Sequence, residues 1–195
     1  MKKNKLLVIG CGGHYNSCIE IINENKQFHV VGIIDSDKKK FSKIFANNKV
    51  IGTDEDLKKI FLEVKFAFVC IGFIKNVEIR KKIFEKLIKI GYKIPYFVAK
   101  NSTLSRDFQI SEGSIIHKNV FINKNVIIGK NSIINSGSII EHDVRIGSNV
   151  HLAPGCIVNG NCFIDDDCFI GSGAIIVNNV YVKKGTFIKA GSIIK

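Results

Sequence analysis

Of the five histidines in this 195-residue sequence, His142 carries the clearest chemical suggestion. It stands in Ile140-Glu141-His142-Asp143, beside a carboxylate. An imidazole works near neutral pH, and a neighbouring carboxylate can orient it, so this pair has the parts of a general base. The same tetrapeptide also reads as one polar corner among many, with Asp143 required by the backbone alone. His29 begins a predicted strand and carries no signal. His117 is expected to be a solvated surface residue. A zinc site built from His117, His142 and His151 has the right ligand type but lacks closely clustered histidines, and no metal is expected.

A second set of residues suggests anion binding. Gly10-Cys11-Gly12-Gly13-His14 lies between a predicted strand, Leu6–Ile9, and a predicted helix running to about Asn25. Such a turn lets backbone N–H groups reach a phosphate at the helix start. Asp35 and Asp37 follow the second predicted strand, His29–Asp35, where a carboxylate can accept from ribose hydroxyls. The dinucleotide fingerprint requires a third glycine where Tyr15 stands, which argues against NAD. A nucleotide of another kind and a merely tight turn both remain open.

The elements that position these residues differ between the halves of the chain. From Ile110 to Ile194 an aliphatic residue recurs at every sixth position, which is a hexapeptide repeat. Three residues after each aliphatic stands Gly, Asn or Asp, the types that tolerate a left-handed backbone. Four residues after it comes a small or β-branched side chain on the same inward face. Cys156, Cys162 and Cys168 fill that slot and read as core fillers. The outward slot is also apolar except at Arg145 and His151, and so much outward apolar surface calls for a cover such as sister subunits. Residues 1–95 instead alternate strands (including Val50–Ile51 and Phe66–Ile71) with helices (Asp54–Val64, Val77–Ile90). That pattern predicts a Rossmann-like α/β domain with a parallel sheet. The predicted organisation is thus residues 1–95 and 96–195, divided near Pro95.

The net charge is +12, with 20 basic and 10 acidic residues in 1–100 against 9 and 7 in 101–195. The lysines are scattered and accompany no nucleic-acid motif, so no nucleic-acid partner is expected. No apolar run approaches the ~20 residues of a membrane span, and Leu6–Ile9 is too short for a signal peptide. Six cysteines without a CxxC pair suit reduced thiols in a cytoplasm.

Taken together, Gly-x-Gly-Gly-His, Asp35-Ser36-Asp37, Ile71-Gly72 and Glu78-Ile79-Arg80-Lys81-Lys82 precede a repeat that holds Ile140-Glu141-His142-Asp143 and His151-Leu152-Ala153-Pro154-Gly155. This combination resembles the PglD-like bacterial sugar acetyltransferases of the bacillosamine type, and the sialic-acid-type O-acetyltransferase group beside them. The resemblance implies a homotrimeric left-handed β-helix, a UDP-sugar held by the α/β domain, and acetyl-CoA as acyl donor in glycan biosynthesis. It implies that Gly12, Gly13, His14, Asp35, Ser36, Gly72 and Glu78 touch the nucleotide sugar. It makes His142 the base and Asp143 its partner, and places His151, Gly160, Ser172 and Ala190 along acetyl-CoA. The expected activity is N-acetylation of a UDP-amino-sugar by direct transfer. O-acetylation of a sialic-type or other free sugar, and a non-catalytic nucleotide-sugar-binding scaffold, are the alternatives. Three features depart from the family pattern. Asp143 replaces a glutamate, the stretch Phe73–Val77 is longer, and a Gly-Val-Pro-Ala-Lys tail is absent, so part of the coenzyme site is expected to differ.

Overall fold

All fourteen Gly, Asn and Asp corner positions from Gly113 to Gly191 have φ between 56° and 74°. Each such residue turns the chain after a two-residue strand, and every third corner closes one coil. In the computed structural model, which describes residues 3–195, these strands pair in parallel with the strand eighteen residues on, as Phe121 does with Ile139 and Ile127 with Arg145. The result is a left-handed parallel β-helix with faces of six, six and five strands. The first face runs from Phe97–Val98 to Phe187–Ile188, the second from Thr103–Leu104 to Ile193–Ile194, and the third from Gln109–Ile110 to Tyr181–Val182. The stack therefore begins two strands before the repeat read from Ile110. Val98 and Leu104 keep the six-residue phase, but Asn101 and Asp107 turn without a positive φ.

The inward aliphatics fill the coil. Ile116, Ile128, Ile134, Ile140, Leu152, Val158, Ile164, Ile170 and Ile176 are all fully buried. The small slot has a second duty. Ser114 and Ser132 donate to the carbonyls of Gly129 and Gly147, while the Cys162 and Cys168 thiols donate to those of Val177 and Lys183, each fifteen residues on. A thiol is thus used here as a larger, weaker serine. Burial pushes these thiols up, Cys156 to about 11, so they remain protonated donors.

By its contacts the chain divides into two units, the first comprising residues up to Gly72 together with Glu78–Pro95, and the second Phe73–Val77 with Tyr96–Lys195. The first unit contains β1 (Asn4–Ile9), α1 (Gly13–Glu24), β2 (Phe28–Ile34), β3 (Ile44–Phe45), β4 (Asn48–Gly52), α2 (Leu57–Ile60), β5 (Phe66–Val69) and α3 (Glu78–Ile90). Met1 and Lys2 lie outside the described residues. The sheet order is β3-β4-β2-β1-β5, parallel except for the β3–β4 hairpin. Leu6, Leu7, Val8, Ile33, Ile34, Ala67 and Phe68 form its fully buried centre. The helix predicted over Asp54–Val64 shrinks to Leu57–Ile60. Its start is taken by a turn in which the Asp56 carboxylate accepts from the Thr53 N–H at 2.8 Å.

Tyr15 explains the missing third glycine. Its ring is fully buried, its hydroxyl donates to the Phe45 carbonyl at 3.0 Å, and it accepts from Asn48 Nδ2 at 3.1 Å. The residue that breaks the fingerprint therefore pins the β3–β4 hairpin to α1.

The corner amides form ladders along the coil, such as Asn131 to Asn149 and Asn149 to Asp167, both at 2.9 Å. Asn149→Ala and Asn149→Gly each remove these bonds, but only alanine is strained at the φ of 56°. Left-handed strain is about 1–2 kcal/mol, partly offset by the extra chain entropy of glycine. Asn149→Ala should therefore be less stable than Asn149→Gly by about 1 kcal/mol in denaturant unfolding.

Candidate active site

Glu141, His142 and Asp143 form the corner between the second face, at Ile139–Ile140, and the third, at Arg145–Ile146. His142 Nδ1 lies 2.8 Å from Asp143 Oδ2. The hydrogen bonds from His142 and then from Asn125 hold the Asp143 carboxyl below its usual value. An ionised carboxylate only accepts, so Nδ1 carries the proton of this bond and Nε2 of the neutral ring keeps a lone pair. In that tautomer the pair has the parts of a base at Nε2, oriented from behind by the carboxylate.

Gly160 stands one coil further on. A Cβ there would lie 2.8 Å from His142 Cε1 and 2.9 Å from Nε2. The ring occupies the space that this missing methyl leaves. Beside the pair on the third face is a groove of about 500 Å³, lined by Asn125, Asp143, Arg145, Asn161 and Phe163 among others. Arg145, the outward exception, is an exposed cation at this groove.

The remaining residues placed by the family resemblance are spread over the second unit. His151 lies on the first face and is only 7% exposed, although it points outward. Its Nδ1 lies 2.7 Å from the Phe73 carbonyl, its Nε2 lies 3.4 Å from Asn135 Nδ2, and the Phe73 and Phe169 rings meet it edge-on. Ser172 and Ala190 are exposed and stack one coil apart at the corner between the first and second faces, where the Gly191 N–H donates to the Ser172 carbonyl. The structure therefore joins His142, Asp143 and Gly160 at one corner, Ser172 and Ala190 at another, and leaves His151 on a separate face. His117, expected at the surface, is 2% exposed. Ile115 and Ile133, at outward slots of the same first face, are also fully buried.

In the first unit, Gly12 caps α1 without a side chain, and a Cβ at Gly12 or Gly13 would meet nothing within 4 Å. That leaves open space beside the two glycines. Gly72 lies against His14, where a Cβ would come within 3.2 Å of the ring. Ser36 is exposed, as is Glu78 in the first turn of α3 with Lys82 at 4.0 Å.

Asp35 is 8% exposed and heavily engaged. It accepts from the Cys11 N–H and thiol and the Asp37 N–H, all at 3.0 Å, and from Lys40 Nζ at 3.1 and 3.2 Å. This carboxylate ties the glycine turn to the end of β2, and sequence gave no sign of Lys40 or Cys11 as its partners. Burial raises the Asp35 carboxyl, but the bonds from Cys11, Asp37 and Lys40 outweigh it and leave the net shift downward. Burial of the Cys11 thiol, and then the same carboxylate beside it, push that thiol up to about 12.

Two outcomes test these assignments. Gly160→Ala has no φ penalty, so its effect reports the ring contact alone; it should lower the activity attributed to His142 while unfolding at the same denaturant concentration. Asp35 binds its proton more readily unfolded than folded, so its contribution is present above about pH 3.9 and is lost as pH falls through its lower folded value. Asp35→Asn should flatten the acid limb of the stability–pH curve and lower stability at pH 7, read by denaturant midpoints across pH.

Residues 5–87 match the family model of the PglD N-terminal domain, and residues 125–160 match that of the bacterial transferase hexapeptide as six repeats. No curated protein matches the chain by sequence. Among solved structures, a histidine-to-asparagine mutant of perosamine N-acetyltransferase from Caulobacter crescentus, in complex with CoA and GDP-perosamine, is 25% identical with a TM-score of 0.91. The match covers 98% of this chain and 89% of that one. The acetyltransferase domain of PglB from Neisseria gonorrhoeae, in complex with acetyl coenzyme A, is 26% identical with a TM-score of 0.87 over 99% and 93% of the two chains. WeeI from Acinetobacter baumannii, 24% identical over 98% and 96% with a TM-score of 0.73, shares the fold. The chain thus joins a segment similar to the PglD N-terminal domain to one similar to the bacterial transferase hexapeptide, and it resembles two solved acetyltransferases over nearly its whole length.

Proposed function

We propose that the protein transfers the acetyl group of acetyl-CoA to the amine of a nucleotide-linked amino sugar, with His142 as general base. The observation that carries this reading is the His142–Asp143 pair at 2.8 Å, its ring set against Gly160 beside an open groove. Support for the substrates comes from the solved relatives that hold acetyl coenzyme A, or CoA and GDP-perosamine. The basic first half of the chain and the open glycine turn at the start of α1 suit a diphosphate. We read the sugar as UDP-linked, with GDP as the other nucleotide to test.

In the reaction, the amine nitrogen attacks the thioester carbonyl and a C–N bond forms. His142 Nε2 takes the proton that this nitrogen must lose. Collapse of the tetrahedral intermediate breaks the C–S bond, and the imidazolium returns the proton to the departing CoA thiolate. Asp143 accepts from Nδ1 throughout and stabilises the imidazolium. The transfer is direct in this reading. Cys162, at the groove, is 1% exposed, bonded to the Val177 carbonyl, and pushed up by burial, all of which oppose a thiolate nucleophile. Outward residues such as Phe121, Ile139, Phe163 and Tyr181 remain 38–53% exposed, which suits faces covered by sister copies of a trimer.

The test is thiol release from acetyl-CoA against a panel of UDP- and GDP-linked amino sugars and free sialic-type acids. Release with a nucleotide-linked amine, and a fall of about 10²–10⁴-fold in His142→Ala with the assembly intact, is the expected result. Release only with a free sugar would move the activity to O-acetylation. Equal release by wild type and His142→Ala would remove the mechanism.

A further inference from the structure

The base pair sits on an exposed corner. The side chains of His142 and Asp143 are 56% and 48% exposed, and an isolated hydrogen bond to a carboxylate in such a place is weak and competes with water. Something must hold the carboxylate. Asp143 Oδ1 accepts from Asn125 Nδ2 at 2.9 Å while Oδ2 faces His142 Nδ1 at 2.8 Å, so the two oxygens have separate partners. Asn125 occupies the same left-handed slot one coil earlier, with φ of 58° against 61° for Asp143. Its direction is therefore set by the backbone and repeats that of Asp143. The other carboxylate of the corner is held in the same way, Glu141 Oε2 accepting from Asn123 Nδ2 at 2.7 Å. Two asparagines of one coil thus hold both carboxylates that flank the histidine on the next.

We propose that Asn125 is a positioning residue for His142, acting through Asp143. By holding Oδ1, its amide fixes the plane of the carboxylate, and that plane keeps the His142 proton on Nδ1 and the lone pair on Nε2. The inference rests on the reading of His142 as the base. The same bond that serves elsewhere as a rung of a structural ladder here sets which ring nitrogen is basic. Loss of the amide leaves Asp143 able to rotate toward water, and the ring then distributes its proton between both nitrogens.

The test compares Asn125→Gly with Asn119→Gly. Both positions have φ of 58° and both glycine variants lose one eighteen-residue amide rung, Asn119 accepting from Asn101 at 2.8 Å far from the base. Nitrogen NMR of the histidine ring, assigned with His142→Ala, reads the tautomer directly, and steady-state kinetics reads the consequence. The expected result is a dominant Nδ1–H tautomer in wild type and Asn119→Gly. In Asn125→Gly the balance should move toward Nε2–H and kcat should fall on the order of tenfold with both KM values little changed. A wild-type tautomer balance in Asn125→Gly, an equal shift in Asn119→Gly, or a shift without a kcat change would each overturn the proposal. If His142→Ala retains transfer, the catalytic reading fails on its own, while the tautomer measurement still decides what Asn125 does.

Discussion

The left-handed corner is the constraint on which the rest of the molecule depends. A two-residue strand can close into a narrow coil only if the chain turns sharply after it, and here that turn is a single residue at positive φ. Gly, Asn and Asp meet this demand at low cost, and their use leaves every sixth position free to be a buried aliphatic. Stacking follows from identical geometry at each level. Corner amides then meet corner acceptors eighteen residues away, and inward serines and cysteines meet carbonyls fifteen residues away. The polar ladders and the apolar core thus have a common cause.

The carboxylate beside His142 exploits that constraint. Asp143 has to be one of three residue types for the coil to turn, and of these only aspartate can accept a proton bond as an anion. Its short side chain reaches the histidine at 2.8 Å because the two residues are adjacent on a corner whose backbone is already bent. The ring lies over Gly160 because the coil brings position 160 directly onto position 142. In these terms the active corner is an ordinary corner of the repeat with three substitutions: a histidine, an aspartate, and a glycine one level up.

What the sequence made legible follows the same division. The period of six, the glycine-or-amide slot and the inward cysteines are local and repeated, so each coil states them again. The His142–Asp143 pair was legible because its members are neighbours in the chain. Asn125 was within reach, since eighteen residues is one coil and it shares the slot of Asp143. The engagement of Asp35 by Cys11 and Lys40 was not, because it depends on where β1, β2 and the turn after β2 meet, and no period announces that. The burial of His151 is a similar case: Phe73, 78 residues earlier, accepts from its ring, and an outward position on a strand says nothing about a distant segment lying over it. Tyr15 argued against a dinucleotide by breaking the fingerprint, and what the sequence did not announce is the contact that it makes with the β3–β4 hairpin.

Asp35 and Asp143 also show why a carboxylate near a ligand site cannot be given a role from its position alone. Asp35 stands at the strand end where ribose hydroxyls are bound in related architectures, yet its oxygens already accept from Cys11, the Asp37 N–H and Lys40, and it is almost wholly buried. Its free energy goes into holding the glycine turn open, and contact with a ribose would require Lys40 to yield. Asp143 is half exposed with one partner for each oxygen, so it can polarise a neighbour without being consumed by the fold. The two carboxylates therefore divide the work. One ties the glycine turn to the end of β2, and the other, held by an amide that the coil supplies, faces a histidine ring.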